Sequence, residues 1–180
     1  NIQNEGLSLG DVVFIDEETH SNMMRTQVIS NDVLLNITGA SIGRCCHYNL
    51  EGIEANVNQH VCIIRPCKFE SARFITSFLQ ADPGQSQIFL SQVGASREGL
   101  SFSEIGDFTL ALPPIEEQTA IADYISDAFN QYIRQTEDID KSIALLTEYR
   151  SALITGAVTG QIDLPALDEQ GQTGMKGGIV

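Results

Sequence analysis

From Leu112 the chain reads Leu-Pro-Pro-Ile-Glu-Glu-Gln, and after Pro114 neither proline nor glycine occurs until Gly156. Proline suits the first turn of a helix, where its missing N–H has no intrahelical partner anyway. Glu116 and Glu117 then place negative charge near the positive end of the helix dipole. A seven-residue repeat follows. One position holds Ala122, Phe129, Thr136, Ile143 and Arg150; three residues after each come Ile125, Tyr132, Ile139, Leu146 and Leu153. The second series is apolar throughout, and the first is mixed. Sustained heptads of this kind predict a coiled-coil helix, about 60 Å long for roughly 40 residues. That is longer than a domain of this size needs internally, so it reads as a spacer or dimerisation arm. Its expected packing residues are Ile125, Phe129, Tyr132, Ile139, Ile143, Leu146 and Leu153, with Thr136 and Arg150 helping to fix register.

A chain of 180 residues, this helix included, suggests one globular domain with an appendage, and 42% hydrophobic content is enough for a real core. The predicted division is a domain over 1–112, the long helix over 113–160 and a flexible, glycine-rich tail over 161–180. Residues 11–15 (Asp-Val-Val-Phe-Ile) read as a strand, 17–25 as a polar loop, and 28–29 and 33–37 as extended segments around a Ser-Asn-Asp turn. Val61–Ile64 reads as a strand closed by Arg65-Pro66. Ser71–Leu79 reads as a helix with Phe74, Ile75, Phe78 and Leu79 inward. Asp82-Pro-Gly84 is expected to break it before a short helix over 85–92, and 107–112 reads as a last strand. The fold class is therefore α+β: a mixed domain with a twisted sheet, then a long helix.

Chemistry-bearing motifs are few. Gly-x-Ser-x-Gly, His-Glu-x-x-His and Asn-Pro-Pro-Tyr are all absent, so no catalytic set is expected. The strand running into Thr38-Gly39, with Gly43 following, lacks the Gly-Lys-Ser/Thr ending of a phosphate-binding loop; it reads as a turn needing positive φ. Cys45 and Cys46 are adjacent and would face opposite sides of a strand, which argues against a zinc site with Cys62, Cys67, His47 or His60. Buried reduced thiols in a cytoplasmic protein are the expectation, with no cofactor and no metal. No run of about 18 apolar residues is present, so no membrane span is expected. No signal peptide is visible at the start, and without an initiator Met the chain reads as beginning inside a longer protein or after processing.

The words Leu-Pro-Pro-Ile-Glu-Glu-Gln-Thr-Ala-Ile-Ala, Leu145-Leu-Thr-Glu-Tyr-Arg-Ser-Ala-Leu-Ile154 and Ala157-Val-Thr-Gly-Gln-Ile-Asp163, in that order, resemble the conserved helical segment of specificity subunits of type I restriction–modification systems. Thr38-Gly-Ala-Ser-Ile-Gly43 and Asn56-Val-Asn-Gln-His60 are similar to recurring features of their target-recognition domains. The resemblance implies a non-catalytic subunit that binds double-stranded DNA. It would direct methylation and restriction subunits to a split target, its helix packing against a second recognition half or a second copy. Candidate DNA-binding residues are Thr38, Ser41, Arg44, Asn58, Gln59, His60, Ser96 and Arg97, because Arg suits guanine and Asn or Gln suits adenine. Ten basic residues against 24 acidic ones, a formal charge of −14, favour instead an assembly module that reads no DNA. Arg25, Arg44, Arg65, Lys68, Arg73 and Arg97 all precede the helix, which softens the objection.

Overall fold

A computed structural model describes residues 2–4, 6–10, 12–67, 71–92 and 99–162. The chain divides into two compact units, Asn1–Ala128 and Phe129 onward. The first opens with two short paired strands, β1 (Ile2–Gln3) and β2 (Gly6–Leu7). There follow α1 (Glu17–Asn22), β3 (Gln27–Val28), β4 (Val33–Asn36), β5 (Cys45–His47), β6 (Ala55–Asn56) and β7 (Val61–Ile64). Helices α2 (Ala72–Gln80), α3 (Asp82–Gln92) and α4 (Phe102–Gly106) then precede the 44-residue α5 (Ile115–Val158).

Strand β4 is the centre of the first unit. It pairs antiparallel with β5 on one side and β7 on the other, with Leu35 opposite both Cys45 and Cys62. All four of its residues are buried, because both faces of the sheet are covered. On one face Val33, Leu35, Cys45 and Cys62 pack with Ala72, Ile75 and Leu79 of α2, Ile88 of α3 and Leu100. On the other, Leu34 and Cys46 pack with Ile2, Val28 and Tyr48, beneath the small pairs β1–β2 and β3–β6. The adjacent cysteines do face opposite ways, as alternation along a strand requires. Burial pushes the Cys45 thiol up to about 12, and those of Cys46 and Cys62 to about 11, so all three stay protonated at neutral pH. Among the described residues no group of three His, Cys, Asp or Glu side chains converges as metal ligands would.

Several local expectations fail for identifiable reasons. Residues 12–15 form no strand: Val13 and Phe14 are 88% and 91% exposed, and β-propensity without a neighbouring edge makes no ladder. The polar stretch after Asp16 is helix α1, because the Asp16 carboxylate accepts from Thr19 N (2.7 Å) and caps the first turn. That hydrogen bonding holds the Asp16 carboxyl below its usual range. Asp82-Pro-Gly84 ends α2 but also starts α3, where proline is accommodated in the first turn; the Ala81 carbonyl already accepts from Gln85 N (2.9 Å). Phe74 and Phe78 are half-buried, and Ala72 and Thr76 join Ile75 and Leu79 on the buried face of α2. The segment 107–112 is no strand either. Gln87 satisfies Thr109 on both sides, its Oε1 accepting from the amide N (2.7 Å) and its Nε2 donating to the carbonyl (3.0 Å). Phe108 and Leu110 pack on the helix-side core.

Helix α5 begins immediately after Pro114, whose carbonyl accepts from Gln118 N (3.0 Å). The Gln118 side chain, 1% exposed, donates to Pro113 O (2.8 Å) and accepts from Ser71 N (2.9 Å) at the start of α2. Arg73 of α2 pairs with Asp123 (2.6 Å) and donates to Ala122 O (3.1 Å). These contacts tie the first turns of α5 into the first unit. In the second unit the same helix runs through Gly156 rather than stopping there. It ends where Gly160 adopts φ +70°, Gly160 N bonds Ala157 O (3.3 Å) and Gln161 N bonds Gly156 O (2.8 Å). This is a Schellman cap, and Ile162 folds back over Gly156, where a Cβ would collide with its side chain. Phe129, Tyr132, Ile139, Ile143, Leu146 and Leu153 are all exposed within this chain, and Ile125 is exposed in the first unit. The tail beyond 162 lies outside the described residues.

Candidate nucleic-acid interface

Six of the eight candidate residues gather where β4 ends. Past Asn36 the chain makes a single 3-10 turn over Gly39–Ser41, with Gly39 at φ +71° and Gly43 at φ +85°. The glycines supply the left-handed backbone that lets the chain double back into β5. Asn36 N donates to Arg44 O (2.9 Å) and Gly43 N to Asn36 O (2.9 Å), so the turn closes on the strand end. Beside it, Asn58-Gln59-His60 forms the turn into β7, and Ile37 N donates to His60 O (2.9 Å). Thr38, Ser41 and Arg44 therefore sit on one turn, and Asn58, Gln59 and His60 on the next, at the same end of the sheet. Ser96 and Arg97 lie outside the described residues.

Side chains link the two turns. His60 Nδ1 and Thr38 Oγ1 are 2.6 Å apart, and Gln59 Nε2 lies 3.2 Å from His60 Nε2. With the Gln59 amide nitrogen placed toward the ring, the hydrogen-bond network assigns His60 Nε2 as acceptor and the ring proton to Nδ1, which donates to Thr38. The Thr38 hydroxyl hydrogen remains to be offered elsewhere. Asn58 Oδ1 accepts from His60 N (3.0 Å), an Asx turn that occupies its oxygen and leaves its amide N–H groups. Arg44 donates to Gln3 Oε1 (3.3 Å) at an exposed site and gives this end a cation. Asn58, Gln59, His60 and Arg44 are all exposed, and Thr38 and Ser41 half-buried.

Gly99 is not among the residues the sequence singles out, yet it belongs here. Leu100 N donates to Ile37 O (2.8 Å), and Gly99 comes so close that a Cβ would lie 3.3 Å from Thr38 Cγ2. With φ +154° it adopts a conformation that side chains rarely tolerate. Its position at the end of a glycine-flanked loop was the available signal. Among the described residues this end is a set of mostly exposed donors and acceptors on hydrogen-bonded turns, with Arg44 as its cation and no buried acid–base pair. It suits readout by hydrogen bonding rather than catalysis.

The fold is found again in a chain from a solved structure described as the structural basis underlying complex assembly and conformational transition of the type I R-M system. The TM-score is 0.59 at 17% identity, over 73% of this chain and 31% of that one. At this identity the likeness is one of fold. In sequence, residues 5–145 match the family model of the type I restriction modification DNA specificity domain. The chain belongs to that family. It is also 24% identical over 166 residues to the type I restriction enzyme EcoKI specificity subunit of Escherichia coli (strain K12), covering 90% of this chain and 35% of that protein. The chain spans about a third of the length of the curated relative it matches.

Proposed function

We propose that this chain is part of the DNA sequence-recognition subunit of a type I restriction–modification enzyme, acting without catalysis of its own in the cytoplasm. Residues 1–112 would read double-stranded DNA, and 113–160 would serve as spacer. The observation that carries the reading is the convergence of Thr38, Ser41, Arg44, Asn58, Gln59 and His60 on one end of a rigid sheet, in a chain of the DNA specificity family. Phosphate contacts supply much of the affinity of DNA-binding proteins, so an acidic chain with few cations needs help. Methylation and restriction subunits are the proposed source of that help and of the chemistry.

The exposed heptad residues of α5 support a second role, packing against a second recognition half or another copy of the chain. Their apolar side chains have no partner surface within the described part of their unit, as Ile139 at 58% and Leu146 at 65% exposure illustrate. Replacing Ile139 and Leu146 with Asp is expected to reduce the mass measured by light scattering to that of one protomer. An unchanged mass would remove the seam from the interface. The function itself is tested by selection from a randomised duplex pool with the full-length protein and its methylation subunit. Enrichment of a split motif is the expected result. A stable protein complex that enriches nothing would favour the assembly-module reading, to which the charge of −14 is better suited.

A further inference from the structure

We propose that His60 is a positioning residue that turns Gln59 into a reader of adenine; the inference rests on the DNA-reading role above. Both ring nitrogens of His60 are engaged, Nδ1 with Thr38 Oγ1 (2.6 Å) and Nε2 with Gln59 Nε2 (3.2 Å). Its backbone is held as well, the N by Asn58 Oδ1 (3.0 Å) and the carbonyl by Ile37 N (2.9 Å). A ring held this way has no nitrogen left for a base edge. Its work is on its neighbours.

The Gln59 amide has two N–H groups and one oxygen. One N–H is taken by His60. The other N–H and Oε1 remain on an exposed side chain, one donor beside one acceptor. In the major groove, adenine presents the matching pair, an N7 acceptor beside an N6 donor. Guanine presents two acceptors, cytosine a donor alone, and thymine an acceptor beside a methyl group. An untethered glutamine rotates freely and discriminates weakly. Tethering to His60 fixes the edge before DNA arrives, so the ordering cost falls on folding rather than on binding. Thr38, by accepting from His60 Nδ1, in turn fixes the ring.

The experiment is the same duplex selection, run on the full-length protein with its methylation subunit, with wild type and four variants, each first shown to melt cooperatively at the wild-type temperature. The side chains are exposed, so folding should survive. The wild-type motif should contain an adenine whose replacement weakens binding on the order of ten-fold. Gln59→Ala should flatten the preference at that position alone. Gln59→Glu, with acceptors only, should move it toward cytosine. His60→Gln places an oxygen near the former Nε2 and should retain the adenine preference. His60→Asn reaches only the Nδ1 position and should lose it. An intact motif that Gln59→Ala leaves unchanged would overturn the assignment while sparing the DNA-reading role. Equal loss in both His60 variants would reduce His60 to a structural residue and overturn its positioning role. A wild-type protein that enriches no motif would overturn the DNA-reading role and this inference with it.

Discussion

The two ends of β4 are finished in opposite ways. At its start, Asp32 is fully buried. Its carboxylate takes Arg65 through both oxygens (2.7 Å each) and also accepts from Ile29 N (2.8 Å). A cleft beside it is lined by Arg65, Arg73, Ser71, Ile115 and Thr119, where α2 and the first turn of α5 meet the sheet. There Gln118 and Asp123 complete the pairing of polar groups. At its finish, about 20 Å along the chain, Arg44, Asn58 and Gln59 sit at the surface with donors or acceptors to spare, while the exposed His60 ring is held between Gln59 and the half-buried Thr38. The closed end spends its hydrogen bonds on joining elements of the fold. The open end leaves part of them exposed, and on the proposed reading these face DNA. A strand clamped at one end gives the other end a rigid base, which is what discrimination between similar ligands requires.

If that contrast is right, substitutions at the closed end should cost stability and leave DNA preference alone, and those at the open end should do the reverse. The largest effect is expected from Asp32→Ala. It strands Arg65 and Ile29 N and should lower stability by about 3 kcal/mol, near the lower bound for broken buried pairs because Arg65 is half-exposed and reaches water. The corresponding shift in melting temperature is about 10 °C. Gln118→Ala should cost about 2 kcal/mol in a denaturant titration, since the half-buried Ser71 N and Pro113 O lose their partner. By contrast Gln59→Ala should cost under about 0.5 kcal/mol.

A smaller effect belongs to His47, which ends β5 opposite Val33 at the closed end. Burial, and then the Arg73 cation, hold its pKa below the ordinary 6.5. The folded state thus binds the proton less readily than the unfolded state. The contribution of His47 is therefore complete above pH 6.5 and is lost as pH falls through the folded-state value. Melting temperature should decline below about pH 6.5, and His47→Gln should make that decline shallower. An unchanged slope would show that carboxylates alone set it. Smallest is Arg44→Ala at the open end. If Arg44 meets a phosphate, the variant should reduce the slope of log affinity against log salt by about one, with little change in base preference.

Parts of this arrangement are legible in the residues. Val61–Ile64 is apolar and β-branched between turn signals and forms β7 as read. The opposed faces of Cys45 and Cys46 follow from alternation, and α5 from its spacing and lack of breakers. The two glycines after Thr38 announce a turn, and the Asn58-Gln59-His60 turn is polar enough to mark. What is not legible is pairing. The order β5-β4-β7 depends on contacts between residues far apart in sequence, and with it the meeting of the two turns. The same limit explains residues 12–15, whose composition suits a strand that finds no edge. It also explains Gln118, whose letter in the Pro-Pro-Ile-Glu-Glu-Gln word belongs to the start of a helix, while its side chain holds the start of another 47 residues away.

The central claim, that the open end of β4 faces DNA, is tested most directly by hydrogen exchange of the full-length protein with its methylation subunit, with and without the selected duplex. The account predicts slower exchange on DNA binding at Thr38–Arg44 and Asn58–His60, with Ile29–Asp32 and Ser71–Phe74 unchanged. Protection confined to Ile29–Asp32 and Ser71–Phe74, with the turns at Thr38 and Gln59 exchanging as before, would contradict it.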